Sequence, residues 1–127
     1  MNEANLVKKL ENELEIIQEE CRARGRGIRA FQRKSITSLE TAATELEHIN
    51  PSHPDVQLFD ELILALDGQS AYNPQLYQEI KTAQSEDTRM VKQLKKHIAN
   101  FKKTDKAREK AIRAIIDLMR EYQLRVN

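Results

Sequence analysis

The sequence predicts an all-α protein, a bundle of five to six helices with long amphipathic arms around a short buried central helix. Three observations lead there. The helix breakers are few and clustered: Gly25 with Gly27, Pro51 with Pro54, and Gly68 with Pro74. The stretches between them are rich in Glu, Lys, Leu, Ala, Gln and Arg, which favour helix. No stretch alternates apolar and polar residues over the length of a strand. At 127 residues and 14.7 kDa the chain suits one helical domain, residues 1–127.

The first arm is marked by Val7, Leu10, Leu14, Ile17 and Cys21, spaced as the seam of a coiled coil. The register continues to Ile28 and Phe31, with Arg24 its one misfit. Thr37 and Glu40 have capping-box spacing, which predicts a helix restarting there and running through Leu39, Ala43, Leu46 and Ile49. Asn50 to Pro54 is a loop, because each proline disfavours helix at the residue before it. A short apolar helix follows with Val56, Leu58, Phe59, Leu62, Ile63, Leu64 and Leu66, ending at Asp67-Gly68. Its largely apolar circumference makes it the element expected to be most buried. Asn73-Pro74 then caps a new helix with Leu76, Ile80, Ala83, Met90, Leu94 and Phe101 along one seam. Ala111, Ile112, Ile115, Ile116, Met119 and Tyr122 mark a last amphipathic stretch. Residues 74–125 form either one very long helix or two, and the Thr104-Asp105 cap signal favours a fold-back near 102–106. Seams this regular, with so few aromatic residues, predict a homodimer or a subunit of a larger assembly.

Composition excludes several classes. The longest apolar run, Leu62 to Leu66, is far too short to cross a bilayer. Glu3, Glu11, Glu13 and Glu15 near the start argue against a secretory signal. A single cysteine, Cys21, excludes an internal disulfide and a cysteine-based zinc site. The expectation is a cytoplasmic protein.

The net charge of +1 hides strong blocks. Residues 1–20 carry −4, residues 21–36 carry +6, residues 37–88 carry −9 and residues 89–127 carry +8. In the first basic block Arg22, Arg26, Arg29 and Arg33 fall on one helical stripe, with Arg24 and Lys34 beside them. If the helix breaks at Gly25 and Gly27 instead, the freed backbone amides approach an anion. In the second block Lys92, Lys96, Lys103, Lys106, Lys110 and Arg113 form a similar stripe. Guanidinium and ammonium groups so arranged suit phosphate and bind a nucleic-acid backbone, DNA or RNA, with little reading of sequence. The bland alternative is that these stripes pair with the acidic middle segment inside the fold. Aromatic residues are scarce in both blocks, which argues against stacked bases.

Catalytic and metal chemistry finds little support. Glu45-x-x-His48 has the spacing of a di-iron ligand pair but lacks the second such pair that those centres need. His48 and His53 flank the proline loop without further ligands, and His97 lies by the seam of Leu94 and Phe101. Cys21 has neither a base nor a resolving thiol, and the Arg24 to Gly27 run lacks the remainder of a phosphate loop. No enzyme activity and no cofactor are expected. Residues 107–124 (Ala-Arg-Glu-Lys-Ala-Ile-Arg-Ala-Ile-Ile-Asp-Leu-Met-Arg-Glu-Tyr-Gln-Leu) resemble an oligomerisation helix of histone-like nucleoid-structuring proteins, a resemblance too short to assign the family. The leading expectation is therefore a helical protein of nucleoprotein assembly that contacts phosphate. The rival is an adaptor, chaperone or inhibitor using its helical seams or the acidic residues Asp55, Asp60, Glu61 and Asp67.

Overall fold

The computed structural model describes residues 3–124. It contains five helices: α1 (Glu3–Gln32), α2 (Ile36–Ile49), α3 (Pro54–Leu66), α4 (Pro74–Phe101) and α5 (Asp105–Tyr122). No strand occurs among the described residues, so the fold is all-α. None of these helices is long and apolar enough to cross a membrane. The chain divides into two compact units, one of Met1–Gln18 with Asp87–Asn127 and the other of Glu19–Glu86.

The first unit is built on the seam of α1. Val7, Leu10, Leu14 and Ile17 are buried with Met90, Leu94, Ile98 and Phe101 of α4 and with Ala111, Ile115 and Leu118 of α5. The chain's own helices thus cover the face from which pairing between subunits was expected. Ala111, Ile115 and Leu118 of α5, within residues 107–124, are turned to this chain's own helices. The fold-back between α4 and α5 is real. Thr104 caps α5 by accepting from the Ala107 amide at 3.1 Å, and the Arg108 guanidinium sits 5.2 Å from the Phe101 ring centroid.

The second unit gathers the rest of α1, all of α2 and α3, and the start of α4. Its core is Ala23, Ile28, Ala30, Leu39, Ala43, Leu46, Phe59, Leu62 and Ile80. Here α1 runs unbroken through Gly25 and Gly27. A Cβ at Gly27 would stand 2.5 Å from the Phe59 ring, and one at Gly25 would stand 2.5 Å from Gln84 Nε2. Both glycines therefore admit close neighbours in place of an opened backbone for an anion, which offsets their poor helix propensity.

The start of α2 differs from the capping-box expectation. Its cap is Ser35, whose side chain accepts from the Ser38 amide at 3.3 Å, so Thr37 falls within the first turn. Lys34 precedes it in the left-handed region at φ 57°, ending α1 where glycine or asparagine is the usual signal. The stop of α3 is as expected, with Gly68 at φ 74°. Burial of α3 is narrower than expected. Of its apolar side chains only Phe59 and Leu62 are fully buried, and Leu64 is 37% exposed. The caps at His53 and Asn73 place the starts of α3 and α4, accepting from the amides of Asp55 and Gln75 at 3.0 Å each.

Candidate nucleic-acid interface

The first basic block separates into two environments. Arg22, Arg26, Arg29, Arg33 and Lys34 are exposed, whereas Arg24 is only 4% exposed. This withdraws Arg24 from the expected phosphate-binding set. It occupies the seam position that looked like a misfit, and polar partners meet it there. Arg24 Nε lies 2.7 Å from Asp55 Oδ2, and its Nη2 lies 4.0 Å from Glu20 Oε2 and against His53 Nε2. His53 Nε2 is 3.4 Å from Glu20 Oε2, and Asn50 donates to Glu20 Oε1 at 3.4 Å. His53 Nδ1 accepts the Asp55 amide, while its Nε2 faces both Arg24 and Glu20. A guanidinium held among two carboxylates in this way is a structural knot. It also removes Asp55 from the acidic surface expected around Asp60, Glu61 and Asp67.

Arg26, Arg29 and Arg33 line one side of a cleft of about 410 Å³ between α1 and α2, with Ser38, Thr41, Ala42 and Glu45 lining the other. Steps of three and four residues bring the three guanidinium groups onto one face of α1. Arg26 donates from Nε to Glu45 Oε2 at 2.8 Å, a half-exposed pair that joins the basic block to the acidic one. Among the described residues no carboxylate pairs with Arg22, Arg29, Arg33 or Lys34. Ser35 Oγ accepts from the Ser38 amide and donates to Ser38 Oγ at 2.9 Å, which leaves the Ser38 hydroxyl proton available to the cleft. The amino end of α2 adds its positive dipole on the same side. Three guanidinium groups against one carboxylate make the cleft an attractive setting for a phosphate.

The lysine stripe of the second block lies in the other unit. Lys92, Lys96, Lys103, Lys106, Lys110 and Arg113 are all exposed, and of these Arg113 pairs with Glu109 at 3.4 Å. Lys96 and Lys110 share a hollow of about 510 Å³ with His97, Asn100, Ala107, Ala111 and Ala114. Burial, and then the charge of Lys96, hold His97 below its ordinary value. The remaining candidates for chemistry stay apart. Glu45 is taken by Arg26, His48 is exposed, and Cys21 Sγ points to the Gln84 carbonyl at 3.9 Å. No group of three or more His, Cys, Asp or Glu side chains that could hold a metal occurs among the described residues.

One cluster was invisible to sequence spacing. Phe31, Tyr72 and Tyr77 come from the end of α1, the α3–α4 loop and the start of α4. Ring centroids lie 5.6 Å apart for Phe31 and Tyr72 and 5.0 Å apart for Phe31 and Tyr77. With Gln32, Lys34, Ala65 and Leu66 they line a pocket of about 460 Å³. No protein-family model matches this chain, and no curated protein or solved structure matches it significantly.

Proposed function

We propose that this chain is a non-enzymatic, cytoplasmic nucleic-acid-binding protein that grips the phosphate backbone and serves nucleoprotein assembly. The observation that carries the reading is the cleft of Arg26, Arg29 and Arg33, two of whose three guanidinium groups have no carboxylate partner among the described residues. Arg22 extends that surface along α1, and Lys92, Lys96, Lys103, Lys106 and Lys110 supply a second set of cations with no carboxylate partner among the described residues. Phosphate contacts of this kind give affinity without sequence preference. With four to six phosphates neutralised, log affinity for duplex should fall against log salt with a slope of about −4 to −5. Filter binding at low salt tests this. Arg29→Glu with Arg33→Glu should weaken every sequence alike, and failure of the wild-type chain to retain duplex or single strands overturns the reading.

A second reading, self-association, is favoured by a different observation. Leu6, Ile112, Ile116, Met119 and Leu124 line an apolar hollow of about 540 Å³ in the first unit, rimmed by Glu3 and Arg120. Such a face suits the same face of a second copy. Light scattering at high micromolar concentration should then give twice the chain mass, reduced to one chain by Ile116→Glu. A single-chain mass for the wild type overturns it.

A further inference from the structure

We propose that the pocket of Phe31, Tyr72 and Tyr77 seats an unpaired base of a single strand whose backbone occupies the arginine cleft. The inference rests on the phosphate-binding reading and adds a second contact to it. Three features of the pocket point to a base.

Phe31 holds Tyr72 in a near-parallel stack with an interplanar angle of 24°, yet Tyr72 remains 54% exposed. A ring fixed on one side and open to solvent is a stacking platform, and every nucleobase presents a π face to it. Lys34 lines the same pocket and, among the described residues, pairs with no carboxylate, so its ammonium group is available to a strand's phosphate.

The third feature is continuity. Arg29 and Arg33 line the cleft, while Phe31, Gln32 and Lys34 line the pocket, so the two hollows flank the last turn of α1. The end of a helix is about 10–12 Å across. A short single strand spans that distance, so one strand reaches both hollows. The left-handed turn at Lys34 (φ 57°) carries the chain from one hollow to the other. Duplex would fill only the cleft, because its bases are paired and stacked on one another.

Fluorescence anisotropy with two probes tests the proposal: a fluorescein-labelled oligothymidylate of about twelve nucleotides, and an abasic strand of equal length and charge. The oligothymidylate should bind more tightly by roughly five- to a hundredfold, the worth of one base on an aromatic side chain. Tyr72→Ala should bring the oligothymidylate down toward the abasic strand without changing the abasic affinity, and Tyr72→Phe should restore the difference. Equal binding of both probes, or a Tyr72→Ala loss shared by both, overturns the base site and leaves the arginine cleft standing. If neither probe binds, or if Arg29→Glu with Arg33→Glu changes neither affinity, the phosphate reading falls and takes the base site with it.

Discussion

Arg24 stands at a seam position where leucine would be routine, and its guanidinium is held there by Asp55, Glu20 and His53. Arg24→Met keeps the apolar stem but strands two buried carboxylates. It should cost about 3–5 kcal/mol in a urea melt, and Asp55→Asn in the same chain should recover part of that loss. The sequence showed the misfit but not its resolution, because Asp55 and His53 lie about thirty positions away and only tertiary folding brings them in. His97 offers a second residue-level test. Burial and Lys96 both lower its affinity for a proton, so the unfolded chain binds that proton more readily. Its contribution to stability is therefore complete above the ordinary value of 6.5 and is lost as pH falls below it toward the lowered value. An NMR titration should place the His97 midpoint below 6.5, and Lys96→Ala should raise it only partway, since burial is the larger cause.

Among the elements, α3 divides its apolar residues sharply. Phe59 and Leu62 are closed in by α1, α2 and α4, whereas Leu64 faces outward. Phe59→Ala and Leu62→Ala should cost roughly 3–5 and 2–5 kcal/mol, and Leu64→Ala less than about 1 kcal/mol, in denaturant melts of equal cooperativity. A helix with an apolar circumference predicts burial on every side, but that pattern cannot say how many neighbours arrive. Helix boundaries were legible wherever a residue type carries the signal within a turn, as at Asn73, Thr104 and Gly68. The α1–α2 junction was not, because a lysine with positive φ is uncommon and sends no signal of its own. The glycines of α1 were legible as an exception to helix propensity but not as contacts, since Gln84 and Phe59 come from other helices.

At the scale of the whole molecule, the all-α class followed from breaker spacing, while the distribution of side chains between two cores did not. Seams on α1 and α4 look continuous in sequence, yet their residues divide between separate hydrophobic clusters. Leu94→Ala perturbs one of these cores alone. Hydrogen exchange should then lose more protection at Leu10, Leu14 and Ile115 than at Leu39, Leu46 and Leu62. The charge blocks were legible as blocks, but their pairing was not. Two ion pairs, Arg24–Asp55 and Arg26–Glu45, join the first basic block to the acidic one, and the other cations of that block stay unpaired among the described residues. The aromatic pocket was not legible because Phe31 lies about forty positions before Tyr72 and Tyr77, and only the fold brings it to them.

The contact between Gly27 and Phe59 has a consequence for how this sequence can drift. One ring edge fills the space that a side chain at position 27 would need, so the two positions share a single volume. Gly27→Ala alone should destabilise by about 1–3 kcal/mol through overpacking, less what the better helix former returns. Combined with Phe59→Leu it should cost less than the two changes added together, a coupling that a double-mutant cycle in urea reads directly. Chains descended from a common ancestor with this one should therefore exchange these residues jointly: a methyl group gained on α1 goes with a smaller side chain on α3.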